Sequence, residues 1–183
     1  MNLTILGVDA AIAKTGLAVW MGPGQVSCMT VNTPPASQMC FEDRVGITLA
    51  HIAQWSPDPT NTVMVLEGVF RGAQGRTAVD LGGVHYLIRY RARKRGMRFV
   101  VAGNEQIKLY ATGHGRAEKQ AMVEAANYHL RHLAHADDDN QADALWAMAM
   151  GVRWYYGPIE NPTLEPGRLK GLERLKWPDR RRR

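Results

Sequence analysis

The run Leu3-Thr4-Ile5-Leu6-Gly7-Val8-Asp9 is apolar, contains β-branched residues and ends in a single carboxylate. After a short polar turn, Thr15 begins a second apolar stretch that reaches Trp20. These features predict a strand, a turn and a second strand. Ladder hydrogen bonds keep a strand end rigid, so an acid placed there is well positioned to bind a metal ion. The alternative is that Asp9 only starts the turn, as aspartate often does.

The composition indicates one folded domain with a basic character. The chain has 183 residues, of which 45% are hydrophobic. That is enough apolar material for a single core. The formal net charge is +6. A positive balance favours a polyanionic partner, although many basic proteins bind no polyanion.

The sequence also predicts where the protein works. Its two cysteines, Cys28 and Cys40, form no Cys-x-x-Cys pair, which argues against a structural zinc site and a disulfide framework. No apolar run approaches the roughly 20 residues that span a bilayer, and the N-terminus does not resemble a secretion signal. We therefore expect a cytoplasmic or nucleoid-associated protein that is not secreted and has no membrane partner.

Hydrophobic periodicity predicts a mixed arrangement of strands and helices. Strands are expected at residues 3–8, 16–21, 25–32, 62–66 and 98–102, and helices at residues 41–55, 81–94, 117–133 and from Asp139 onward, with a short helix around Gln106-Ile107-Lys108. Tight turns join the first three strands, so these form an antiparallel meander. The remaining elements alternate between helix and strand. The pattern predicts an α/β fold with a five-stranded mixed sheet, three antiparallel strands followed by parallel strands, flanked by helices.

The end of the chain differs in character from the rest. Four prolines follow Tyr156, and the chain closes on Arg180-Arg181-Arg182-Arg183. We expect one folded domain over residues 1–157 and a basic, proline-containing tail without regular structure over residues 158–183.

Four acids occur where strands end or a helix begins. Asp9 and Glu67 end two predicted strands, and Asp139 and Asp143 share one face of the last helix. Strand ends and a neighbouring helix terminus can converge on one crevice. Clustered carboxylates suit Mg²⁺ or Mn²⁺, and two such ions about 4 Å apart can hydrolyse a phosphodiester. The alternative is that these acids only cap strands and helices.

The chain resembles the RuvC family of Holliday-junction resolvases, which have the RNase H-like fold. The phage-type members of the family are included in this resemblance. The motifs that carry it cover roughly residues 5 to 150, in the order of the family: Gly7-Val8-Asp9, Thr15-Gly16, Leu66-Glu67-Gly68-Val69-Phe70, Leu81-Gly82, Ile107-Lys108, the segment from Thr112 to Lys119, and the segment from Asp139 to Leu145.

The resemblance implies the ligands of two divalent ions. The family takes one acid from the first strand, one from the fourth and further ligands from the last helix, and these roles fall on Asp9, Glu67 and Asp143. Three residues before Asp143, where the family often has an acid or histidine, this chain has Asn140. We choose the preceding Asp139 as the remaining ligand, with Asn140 as the second choice.

The resemblance also implies residues that contact DNA. Lys108 and Lys119 match basic family positions near the scissile phosphate, where they would stabilise developing charge. The alternative for both is a solvated surface charge. Phe70 matches an aromatic that the family inserts at the junction centre, and core packing is its alternative. The further candidates for phosphate contact are Arg71, Arg76, His114, Arg116 and the arginines of residues 89–95.

The expected function is therefore that of a Holliday-junction resolvase. The resemblance implies two Mg²⁺ ions per active site, which Mn²⁺ can replace, and products with a 5′-phosphate and a 3′-hydroxyl. A four-way junction is cut symmetrically, so we expect a homodimer, with the apolar side of the helix at residues 81–94 as the candidate interface and core packing as the alternative for that side. The alternatives are a broader nuclease for flaps and forks, or a catalytically silent DNA-binding module of the same fold.

Overall fold

The computed structural model describes residues 3–69 and 74–179. The predicted DNA contacts Phe70 and Arg71 and the four closing arginines lie outside the described residues.

The five strands form one mixed sheet. The strands are β1 (Thr4–Asp9), β2 (Lys14–Gly22), β3 (Gln25–Asn32), β4 (Thr62–Glu67) and β5 (Arg98–Ala102), in the spatial order β3-β2-β1-β4-β5. Strands β1, β2 and β3 pair antiparallel, whereas β4 and β5 extend the sheet in parallel with β1. The predicted α/β fold and strand directions are confirmed.

The helices cover both faces of this sheet. They are α1 (Phe41–Gln54), α2 (Gly75–Lys94), α3 (Asn104–Thr112), α4 (Lys119–His129), α5 (Asp139–Tyr156) and the short α6 (Lys170–Glu173). Successive side chains of a strand point to opposite faces. Ile5 and Val63 accordingly pack in the core with α3, α4 and α5, whereas Leu6 and Met64 pack in the core with α1 and α2. The predicted helix over residues 117–133 ends at His129, four residues early.

Helix α5 packs directly on β1 because Gly7 has no side chain. A Cβ atom at Gly7 would lie 2.1 Å from the carbonyl oxygen of Ala144. On the helix, a Cβ atom at Gly151 would lie 2.6 Å from the Cγ2 atom of Ile5. Only glycine permits such an approach between a helix and a strand. The close packing brings the first turns of α5 to the end of β1 that carries Asp9.

The segment after Tyr156 is folded against the domain. It contains a 3₁₀ turn (Pro166–Leu169) and α6, which pack against α3, and its Leu164 and Leu172 are buried in the core on that face of the sheet. The expectation that this segment lacks regular structure is wrong for these elements. The few apolar residues of this segment are separated by prolines and do not recur with the spacing of a helix or a strand. Hydrophobic periodicity therefore did not predict these elements. The division into a domain over residues 1–157 and a tail stays a prediction.

In the part of the chain that the structure describes, no helix is both long enough and apolar enough to cross a bilayer.

Candidate metal centre

Three carboxylates converge at one edge of the sheet. Asp9 ends β1 and Glu67 ends β4, and these strands are parallel neighbours with Val8 opposite Leu66. Their carboxyl ends therefore meet at the same edge. Asp143, in the second turn of α5, reaches this edge from the neighbouring face. One oxygen from each of Asp9, Glu67 and Asp143 lies within 4.8 Å of the other two.

This carboxylate cluster is electrostatically unfavourable when no cation is bound. Burial, followed by the charges of Glu67 and Asp143, raises the pKa of Asp9 well above its usual value. Burial and then the charge of Glu67 raise the pKa of Asp143 to about 8. Burial also raises the pKa of Glu67. Since like charges in a desolvated site resist ionisation together, a cation would relieve the repulsion.

The donor atoms fit a hard divalent ion. Oε2 of Glu67 and Oδ1 of Asp143 are buried and receive no hydrogen bond from an N–H group or a hydroxyl in residues 3–69 or 74–179, and the Asp9 carboxyl is hydrogen-bonded to Glu67. A buried acceptor without a partner is costly. Oxygen ligands without sulfur or imidazole suit Mg²⁺ or Mn²⁺ rather than zinc. Asp9, Glu67 and Asp143 could therefore hold a divalent metal ion.

The two candidates for the remaining ligand lie in the first turn of α5. Asp139 is near enough for its charge to raise the pKa values of Asp9 and Asp143, but its carboxylate forms an ion pair with Lys119. Asp139 is not among the three residues whose oxygens gather within 4.8 Å. The main chain of Asn140 packs against Gly16 of β2. The choice between Asp139 and Asn140 stays a prediction.

Asp138 precedes α5 as its N-cap and fixes the position of the helix. Its carboxylate accepts a hydrogen bond from the main-chain N–H of Gln141 at 2.8 Å and another from the Thr30 hydroxyl of β3 at 2.8 Å. An aspartate at this position is a strong helix N-cap. The two hydrogen bonds tie the start of α5 to the edge strand, and so help to place Asp143 against the sheet.

Both predicted lysines act electrostatically on the cluster. Lys108 of α3 lowers the pKa values of Glu67 and Asp143 through its charge. Lys119 begins α4, and its ion pair with Asp139 raises its own pKa. Two cations therefore border the carboxylates.

Sequence reasoning missed Asn104, which contacts the cluster directly. Asn104 is the first residue of α3, and its side-chain amide donates a hydrogen bond to Oε1 of Glu67. This bond lowers the pKa of Glu67, against the effect of burial. The position of Asn104 in the sequence could have indicated this contact. Asn104 follows β5, which is the parallel neighbour of β4, so it lies at the same edge of the sheet as Glu67.

His85 of α2 was also missed. It is 5% exposed and lines a cleft of about 170 Å³ together with Asp9, Ala10 and Glu67. Its imidazole is hydrogen-bonded to the main chain of Ala10, and burial lowers its pKa. A buried histidine thus borders the cluster on the side of α2.

The predicted DNA contacts that the structure describes are exposed. His114 and Arg116 lie in the loop between α3 and α4. Arg76 lies in the first turn of α2, with its Nε atom 3.7 Å from a carboxylate oxygen of Asp80.

Within the arginine group of residues 89–95, Arg95 differs because it is partly buried and bonded to the protein. Its guanidinium donates hydrogen bonds to the carbonyl and the hydroxyl of Ser56, at 2.8 and 3.0 Å. Arg95 therefore holds α2 against the end of α1.

The sequence matches a known protein family. The family model described as crossover junction endodeoxyribonuclease RuvC matches residues 5–152. The protein of that name from Corynebacterium efficiens is 27% identical over 156 residues, which cover 82% of this chain and 68% of the relative. The one from Renibacterium salmoninarum is 24% identical over 176 residues, which cover 94% and 90%.

The fold is also similar to two solved structures from Thermus thermophilus. A RuvC structure has a TM-score of 0.62 at 24% identity and covers 79% of this chain and 90% of its own. A RuvC in complex with a Holliday junction substrate has a TM-score of 0.65 at 18% identity and covers 87% and 99%. The likeness confirms the predicted RNase H-like fold.

Proposed function

Because the chain belongs to the family of crossover junction endodeoxyribonuclease RuvC, we propose that it resolves four-way DNA junctions by metal-dependent hydrolysis of phosphodiester bonds. The observation that carries this proposal is the convergence of Asp9, Glu67 and Asp143 on one point, with oxygens within 4.8 Å of one another. Residues that are far apart in the sequence supply these oxygens, and their repulsion favours a bound cation.

The proposed metal site holds two Mg²⁺ ions through Asp9, Glu67 and Asp143, completed by Asp139 or Asn140. When bound, such ions activate a water for attack on phosphorus and stabilise the leaving oxygen. The residues of this chain position and neutralise the scissile phosphate. Lys108 and Lys119 provide positive charge where negative charge develops on phosphorus. The products carry a 5′-phosphate and a 3′-hydroxyl.

The proposed DNA surface surrounds this edge of the sheet. The exposed His114 and Arg116 follow α3, which carries Lys108, and the exposed Arg76 begins α2. Basic side chains of this kind bind phosphates without reading sequence. Phe70 and Arg71, which follow Glu67 within four residues, remain proposed contacts with the junction. The RuvC from Thermus thermophilus, whose fold this chain shares, binds a Holliday junction substrate.

The apolar side of α2, which the sequence offered as the candidate interface, packs in the core instead, with Val84 and Ile88 each 1% exposed. We propose a two-fold dimer through another, exposed side of this helix. Val79, Tyr86 and Tyr90 are 73%, 68% and 52% exposed. Their spacing of seven and four residues places them on one side of the helix. Exposed aromatics in a row are typical of an interface. Tyr90→Glu should convert a dimer to a monomer in light scattering after size exclusion, whereas Tyr128→Glu, at an exposed tyrosine of α4, should not. A wild-type monomer at high concentration would contradict the proposed dimer.

A panel of substrates tests the proposed specificity. With Mg²⁺ present, the protein should cut a four-way junction symmetrically and should cut flaps, forks and linear duplexes much more slowly. Equal cleavage of every branched substrate would instead support the broader branched-DNA nuclease. Tight junction binding without cleavage in Mg²⁺ or Mn²⁺ would support the silent binding module.

A further inference from the structure

The two carboxylate oxygens of Glu67 have different environments. Oε1 accepts a hydrogen bond from the side-chain amide of Asn104. Oε2 is buried and receives no hydrogen bond from an N–H group or a hydroxyl in the described part of the chain, and the carboxyl hydrogen-bonded to Glu67 is that of Asp9 in the same cluster. A carboxylate with one oxygen engaged by a neighbouring amide is restrained in its rotation. Its other oxygen is the one left for a cation.

The main chain around Asn104 is itself held in place. The N–H of Gly103 donates to Oε1 of Gln106 at 2.8 Å, and the N–H of Gln106 donates to the carbonyl of Gly103 at 2.8 Å. This reciprocal arrangement fixes the start of α3. The side-chain amide of Gln106 also donates to the carbonyl of Gly171 at 3.2 Å, which anchors the turn to α6. Asn104 therefore reaches Glu67 from a rigid support.

We propose that Asn104 is a positioning residue that makes Glu67 a single-oxygen metal ligand and thereby favours Mg²⁺ and Mn²⁺ over Ca²⁺. This inference rests on the proposed metal site. Mg²⁺ and Mn²⁺ accept six oxygens in octahedral geometry, usually one from each carboxylate. Ca²⁺ takes six to eight oxygens and readily uses both oxygens of one carboxylate. The hydrogen bond from Asn104 uses one lone pair of Oε1 and holds the carboxylate in one orientation, and so disfavours that two-oxygen mode.

The test is metal binding by the full chain without DNA, measured by calorimetry with Mn²⁺ and separately with Ca²⁺. Asn104→Leu keeps a branched side chain of similar size but removes the donor. Its Mn²⁺ affinity should fall by about 10-fold to 100-fold, the usual cost of losing a partner of a metal ligand. The Ca²⁺ affinity of the variant should fall less or should rise. The ratio of Mn²⁺ affinity to Ca²⁺ affinity should therefore be smaller in the variant than in the wild type. Asn104→Ala should behave in the same way, and serves if the leucine variant does not fold.

Asn127→Leu is the matched control. The Asn127 side chain donates to the carbonyl of Ala136 at 3.0 Å and accepts from its N–H at 2.8 Å, so it holds a loop between α4 and α5. This variant should lower the melting temperature and leave the Mn²⁺ preference over Ca²⁺ unchanged. If Asn104→Leu lowers the affinities for Mn²⁺ and Ca²⁺ equally, or lowers neither, the inference is overturned and the proposed metal site is unaffected. If the wild-type chain binds no Mn²⁺, the proposed function fails as well.

Discussion

A Cβ atom on Gly16 of β2 would lie 1.9 Å from the carbonyl oxygen of Asn140, in the first turn of α5. The backbone of the helix thus rests directly on the backbone of the strand, and Gly16 is paired with Asp9 on β1. The position of α5, and with it the distance from Asp143 to Asp9, depends on the absence of a side chain at this point.

Gly16→Ala should therefore displace α5 and weaken both the fold and the metal site. We expect the free energy of unfolding to fall by more than about 2 kcal/mol, since packed backbone cannot yield to a methyl group at low cost. Urea denaturation measures the change. Gly46→Ala, at a helical glycine of α1 with no atom within 4 Å of the added Cβ, should be neutral or stabilise by about 0.5–1 kcal/mol. Equal effects of the two substitutions would contradict this account of α5.

The stability of the metal-free protein should fall as the pH rises. The pKa of Asp143 is raised to about 8, and that of Asp9 is also raised, whereas both ionise near about pH 4 in an unfolded chain. Between about pH 4 and about pH 8 the folded protein therefore retains protons that the unfolded chain has released, and the free energy of unfolding decreases with pH.

Denaturation in EDTA at several pH values across this window measures that slope. Asp143→Asn removes one of the titrating carboxyls, so the stability of the variant should decline less steeply than that of the wild type. Added Mg²⁺ should reduce the slope of the wild type, because a bound cation favours the ionised carboxylates. A variant with a slope as steep as that of the wild type would contradict the raised pKa of Asp143.

Lys108→Ala should separate catalysis from metal binding. Removal of a cation aimed at developing charge should slow junction cleavage by about 10²-fold to 10³-fold. The same change removes positive charge beside Glu67 and Asp143, so Mn²⁺ should bind the DNA-free protein at least as tightly as before. Lys170→Ala, at an exposed lysine that begins α6, should alter neither property. Weaker Mn²⁺ binding by Lys108→Ala would show that Lys108 supports the fold of the site.

A chain ending at residue 157 should be strongly destabilised. It loses Leu164 and Leu172, which are 4% and 5% exposed, and each fully buried leucine contributes about 1.5–3 kcal/mol. It also loses Glu160, which is buried and ion-paired with Arg153 at 2.9 Å. A chain ending at residue 179 keeps all these groups and is the control. If the chain of residues 1–157 unfolds at the same urea concentration as the control, the division into an independent domain and a tail is supported.

The sequence predicted the sheet and its strand directions because each strand carries an apolar run with clear boundaries. The pattern of strand ends and helix faces singled out Asp9, Glu67 and Asp143 together with Asp139. The resemblance to the RuvC family then implied the metal-ligand roles of Asp9, Glu67 and Asp143. The hydrogen bond from Asn104 to Glu67 depends on the exact start of α3, which periodicity does not give. The ion pair of Lys119 with Asp139 likewise depends on how α4 and α5 pack, and no local pattern encodes that geometry.

Cleavage of a synthetic four-way junction in Mg²⁺ should distinguish the wild-type chain from Asp143→Asn. The wild type should produce symmetric nicks with 5′-phosphate and 3′-hydroxyl ends. Asp143→Asn should bind the junction in Ca²⁺ or EDTA with similar affinity but cut it at least about 10³-fold more slowly, because the metal site has lost one of its converging carboxylates. Cleavage by Asp143→Asn at the wild-type rate, or a wild type that binds junctions and never cuts them, would contradict the account.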